Sequence, residues 1–162
     1  MNNAEVILTI GSLVLLTLFS LSLNGSIVQD NIQMYQSAQV TEALVLAQRF
    51  IEAAETAQFD ENNSATIPSS FSSTLGPENG EVYPNFDDID DYNGLLITQN
   101  WGGSISFTVR ILVYYVTESA PFTQTLSRTY KKYMEVQVTS AQDATVNVKL
   151  ERLFAFHYFF VE

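Results

Sequence analysis

Cysteine is absent from the 162 residues, which excludes a disulfide framework, a thiolate nucleophile, cysteine-ligated zinc and c-type haem attachment. Basic residues are absent from the first 48: the earliest Lys or Arg is Arg49, so the segment has neither the basic start of a secretory leader nor the flanking charge that orients a membrane span. Proline does not occur before Pro68, and histidine occurs once, His157, in an aromatic run without a neighbouring acid or nucleophile. A packed or edge histidine is expected there. No glycine-rich phosphate loop, Ser/His/Asp set, zinc spacing or basic stripe with interleaved aromatics is present. No catalytic residue is therefore expected, and an enzyme, even an accessory domain of one, is the least supported class. The formal charge of −11 is uneven: residues 50–109 hold ten acids and no base, and residues 110–162 hold six bases against five acids. Such an acidic middle repels phosphate backbones, so nucleic acid is not expected as a main partner.

What the chain does contain begins with MNNAEVILTIGSLVLLTLFSLSLN. From Val6 to Gln29 there is no ionisable side chain, and Val6–Leu23 is apolar apart from Thr9, Gly11, Ser12, Thr17, Ser20 and Ser22. As an α-helix those eighteen residues cover ~27 Å, against ~30 Å of bilayer hydrocarbon. Residues 1–26 therefore read as a membrane span. Glu5 stands directly in front of it. At headgroup level it would be solvated and idle; inside an apolar bundle it would need a cation, because an unpaired charge there costs several kcal/mol. The nearest candidate is an α-amino group at Met1, its own or a neighbour's.

Beyond the span the helical pattern continues through residues 27–59. Met34, Ala38, Thr41 and Val45 form one stripe, and Val40, Leu44, Ala47, Phe50, Ile51 and Ala54 a broader apolar face, with Gln33, Gln36, Glu42, Arg49 and Glu52 opposite. A rod from Glu5 to about Phe59 would be ~80 Å long. Its second half must pack on something, and a sheet from the same chain is the economical partner. Asn24-Gly25-Ser26 is a place to unwind, since a mid-helix Gly costs ~1 kcal/mol relative to Ala.

Residues 60–94 are polar, then acidic, and read as loop. Asn62-Asn63-Ser64 and Asn24-Gly25-Ser26 match the N-glycosylation pattern, with Asn62 the candidate acceptor, and Ser69, Ser70, Ser72 and Ser73 could carry O-linked sugar; such short patterns recur by chance. Asp87, Asp88, Asp90 and Asp91, in FDDIDDYNG, are the only candidate metal ligands, of the oxygen-rich kind that suits calcium. EF-hand spacing is not met, because Tyr92 falls where a third oxygen is needed, and a solvated acidic turn is the favoured expectation. From residue 95 to 162 alternation predicts an antiparallel sheet. Ile105, Phe107, Val109, Ile111, Val113 and Tyr115 share a face; so do Lys132, Met134, Val136 and Val138; Ala141–Ala144 turns the chain. In the run Thr145–Val161, Val146, Val148, Leu150, Phe154, Phe156, Tyr158 and Phe160 share a face, with Leu153, Ala155, Phe159 and Val161 apolar behind them. Arg128, Lys131 and Lys132 are expected on a solvated face, with contact to the acidic loop of an adjacent subunit as the alternative. The fold class is α+β: a long N-terminal helix, half membrane-spanning and half amphipathic, packed on a C-terminal antiparallel sheet.

Glu5 at the fifth place, the charge-free stretch after it, the continuing helix and the acidic β-rich domain together resemble the type IV pilins and pseudopilins. The Tyr92-Asn93-Gly94 end of the acidic loop is similar to loops that follow the helix in bacterial members. The resemblance implies that a peptidase exposes Met1, which is then N-methylated, and that Glu5 contacts the neighbouring subunit's amino group. It further implies a cytoplasmic-membrane precursor, an ATP-driven assembly machinery, and a homopolymeric extracellular filament serving adhesion, motility, DNA uptake or secretion. Met stands where Phe is more usual, the family's disulfide-closed end is missing, and Asn24-Gly25-Ser26 takes the place of its helix-bending proline. Two other products are weighed: a pseudopilin of a secretion system, and a monomeric membrane-anchored binding module of lectin or adhesin type.

Overall fold

The computed structural model describes residues 2–62, 67–101 and 105–156, with only the backbone of Trp101. One helix, α1, runs Asn3–Thr56, and four strands follow: β1 Leu96–Trp101, β2 Ile105–Tyr115, β3 Lys131–Ser140 and β4 Asn147–Ala155. They form one antiparallel sheet in the order β1-β2-β3-β4. The chain is thus α+β, one long helix and one antiparallel sheet. It divides into two units, Met1–Ala38 and Gln39–Glu162.

In the first unit the described residues are all helical after Asn2, and Asn24, Gly25 and Ser26 lie within α1 without interruption. The helix is long and apolar enough to cross a bilayer. Its hydroxyls do not oppose that: Ser12 Oγ donates to the Thr9 carbonyl at 2.8 Å, and Thr17 Oγ1 to those of Leu13 and Val14 at 2.9 Å. A hydroxyl that bonds back to its own helix carries no unmet donor into lipid.

In the second unit the end of α1 lies in the same core as the sheet. Ala43, Leu46, Ala47, Phe50 and Ala54 are its buried positions, a 3-4-4-type spacing that marks one face of a helix. They join Phe107, Val109, Ile111 and Val113 of β2, Met134, Val136 and Val138 of β3, and Phe154 of β4. The small Ala43, Ala47 and Ala54 around Leu46 and Phe50 let the helix approach the sheet closely. This face departs from the expected stripe: Ala47, Phe50 and Ala54 are buried, but Met34, Val40, Leu44 and Val45 are exposed. The helix has apolar residues around more of its circumference than one sheet can cover. Periodicity alone could not choose among them.

The sheet follows its alternation. Val109 pairs with Val138 and Ile111 with Val136, and these in turn face Val148 and Leu150. The same register sets Tyr115, Lys132 and Phe154 side by side at one end of the core face. Behind the sheet, Tyr114 and Tyr133 rings lie 5.2 Å apart, and Lys149 bridges Glu135 and Glu151 at 2.8 Å. The expected end run is strand to Ala155, with Leu153 and Ala155 exposed; His157 to Val161 lie outside the described residues.

Candidate functional site

Two constellations stand out, one at each end of α1. At the start, Glu5 is the third residue of the helix proper. The backbone N–H of Glu5 donates to the Asn2 carbonyl at 2.9 Å, and the Asn2 N–H donates to Glu5 Oε2 at 3.2 Å. This is the acidic half of a capping box, in which a Glu three residues into a helix satisfies an otherwise orphaned amide. The helix dipole favours an anion there as well. Capping was missed in the sequence, although Asn-x-x-Glu ahead of an apolar run signals it. Met1 lies outside the described residues. Next come the exposed side chains: fourteen large apolar residues from Val6 to Val28 are exposed. At ~1.5–3 kcal/mol for each buried side chain, leaving them in water forgoes roughly 20–40 kcal/mol.

At the other end α1 stops at Thr56, three residues before its predicted limit, because the backbone is claimed by the acidic loop. Gln58 N–H donates to the Asp87 carbonyl and Ile89 N–H to that of Gln58, both at 2.9 Å. This pairing brings Asp60 beside the loop, and β3 contributes Lys132. Lys132 Nζ lies 3.0 Å from Asp60 Oδ2 and 2.5 Å from Asp90 Oδ1, and also donates to the Phe59 carbonyl. All three charged side chains are sealed from solvent. The Phe59 ring stands 4.6 Å from the ammonium. Asp60 accepts further from the Ser72 N–H at 3.0 Å and from the Tyr115 hydroxyl at 3.2 Å. Burial, and then the charge of Asp60, hold the Tyr115 phenol well above its usual range.

Two expectations are corrected here. Lys132 is on neither a solvated face nor a subunit interface; it meets the acidic loop of its own chain. The other two members of the basic trio differ, with Lys131 reaching Glu118 at 3.0 Å and Arg128 Nη1 donating to the Phe71 carbonyl at 3.0 Å. The acidic turn is not solvated either: Asp88, Asp90 and Asp91 are buried, and only Asp87 is exposed. Their backbone donors explain it. Asp88 Oδ1 accepts from the N–H of Asp90 at 2.8 Å and of Asp91 at 3.2 Å, and Asp91 Oδ2 from Asp87 and Asp88 at 3.1 and 3.2 Å. The carboxylates thus build a tight 3₁₀ turn, Asp90–Tyr92. Asn93 locks it, accepting from the Val113 N–H and donating to the Leu75 carbonyl, both at 3.0 Å. Gly94 follows at φ +82, a conformation that suits glycine.

Acid nonetheless exceeds base inside this site. Asp88 Oδ2, Asp90 Oδ2 and Asp91 Oδ1 are buried without a hydrogen-bond partner. Burial pushes Asp90 up, against the opposing pull of Lys132. Burial also raises Asp91, and the carboxylate of Glu81 adds to it. Glu78 is pushed up to about 7 by partial burial and by Glu81, and Glu61 is raised chiefly by Asp87. Of the predicted metal ligands, the structure groups Asp87 and Asp91 with Glu81, and separates Asp90, which serves Lys132. Glu61, Glu78 and Glu81 were not singled out from the sequence, since they lie six to thirty residues from the aspartates with no motif spacing. Asn62 is exposed, and its Nδ2 donates to the Ser70 carbonyl at 3.1 Å.

Comparison of the chain with protein-family models, with curated proteins and with solved structures yields no match.

Proposed function

We propose that this chain is the structural subunit of an extracellular type IV pilus-like filament, polymerising through its N-terminal apolar helix and held in a membrane before assembly. The observation that carries this reading is the exposed apolar surface of residues 6–28. A lipid bilayer would cover it in the precursor, and helices of other copies would cover it in the fibre. Met34 and Tyr35 are exposed as well, past the length a bilayer needs, and in the second unit Val40, Leu44 and Val45 are exposed. A simple anchor does not require them. Glu5 supports the same reading: residues 1–48 contain no Lys or Arg, so a side-chain cation for a buried Glu5 has to come from another chain or from beyond residue 48. In the filament, the neighbouring subunit's amino group at Met1 takes that role. The subunit is read as non-enzymatic, with assembly machinery supplied by other proteins.

The test is Glu5→Gln in the native host. Gln keeps the acceptor that caps the helix and removes only the charge. Loss of fibres with normal amounts of membrane-held subunit is the expected outcome; undiminished fibres would remove Glu5 from assembly. A chain recovered only as a membrane-bound monomer, with no fibre containing it, would favour the tethered binding module instead.

A further inference from the structure

We propose that Glu81, Asp87 and Asp91 hold a calcium ion that clasps the acidic loop, with Glu61 and Glu78 at its rim. One carboxylate oxygen from each of Glu81, Asp87 and Asp91 lies within 4.8 Å of the other two. Calcium binds oxygen at 2.3–2.6 Å, so two ligands of one ion stand up to ~5 Å apart, which this grouping satisfies. Calcium also accepts irregular ligand geometry, whereas magnesium demands a near-ideal octahedron. A second and independent sign is Asp91 itself, whose residue is 1 % exposed. Its Oδ2 is taken by the amides of Asp87 and Asp88, while Oδ1 is buried with no donor. Its carboxylate instead meets that of Glu81. Two carboxylates in contact need something positive between them.

Among the described residues, Asp91 Oδ1 has no hydrogen-bond donor to supply it. Residues 50–109 hold no base, and Lys132, which enters this region from β3, is already shared by Asp60 and Asp90. Glu61 and Glu78 form a second triad around the same Glu81, so five carboxylates converge and only hard-ion chemistry fits the donor set. An ion here would tie 78–81 to 87–91, and through the Gln58 bridge to the end of α1. The site belongs to the second unit and does not rest on the filament reading.

The experiment is calorimetric titration of the full chain in non-ionic detergent with calcium chloride, after chelator treatment, alongside thermal unfolding with calcium, magnesium or chelator. One calcium per chain is expected, with a dissociation constant on the order of 10⁻⁴–10⁻³ M as in extracellular modules, and a higher Tm in calcium than in chelator. Asp91→Asn keeps an oxygen for the two loop amides, and Glu81→Gln sits outside the core; each should weaken binding about tenfold or more, while Glu52→Gln on the exposed helix leaves it unchanged. No heat and no Tm shift in millimolar calcium would overturn the site. So would an equal response to magnesium, or unaltered affinity in both variants. A Tm that climbs on acidification but ignores calcium would assign a shared proton to the carboxylates, and would equally overturn it.

Discussion

Lys132 shows how a single residue decides the architecture around it. Alternation along β3 places it with Met134, Val136 and Val138 on the core face, whereas its charge argues for water. Alternation prevails because Asp60 and Asp90 arrive to meet it, one from the end of α1 and one from the acidic turn. Neither partner is close in sequence, which is why the pairing was not legible. A buried pair of this kind adds little net stability, but removing one member strands the other. Lys132→Met should therefore destabilise the chain by ~3–5 kcal/mol, with part of the loss recovered by adding Asp60→Asn and Asp90→Asn. Denaturant unfolding in detergent would read it, and an unchanged midpoint for the single variant would contradict the burial. Glu5 is the opposite case, exposed and locally bonded to Asn2. Its cap contributes about 0.5–2 kcal/mol at most to helix stability, so Glu5→Gln should leave the helical content unaltered by circular dichroism.

At the level of elements, the sheet and the helix were written most clearly. Period-two alternation named the core face of β2 and most of β3, and the absence of proline before Pro68 marked the continuous helix. The helix's buried stripe was less legible, because Val40, Leu44 and Val45 compete with Ala43, Leu46 and Ala47 for the sheet. The structure resolves the contest in favour of small residues flanking Phe50. Phe50→Ala should then cost ~3–5 kcal/mol, while Val45→Ala, on the exposed side, should cost under about 0.5 kcal/mol in the isolated subunit. Equal losses would mean that the helix faces the sheet differently. The acidic turn at 87–94 was less legible: its order comes from backbone amides captured by aspartates and from Asn93, and hydrogen bonds of this sort leave no periodic trace.

For the whole molecule, the exposed apolar helix and the acidic sheet domain make opposite demands on solvent. A charge placed within the span tests the first directly: Leu15→Lys should cost ~2.5–3.5 kcal/mol of membrane insertion, seen as a larger alkali-extractable fraction. If partition were unchanged, the span would lie elsewhere. Anchor and fibre core make the same demand on residues 6–28, so only the assembled state separates them. The decisive measurement is a density map of fibres sheared from cells that express the chain. Helices of residues 6–28 packed together at the fibre centre, with each Glu5 against an amine of the next copy, would bear out the proposed polymer. Fibres that lack the chain, or a Glu5 open to water and touching no other subunit, would contradict it.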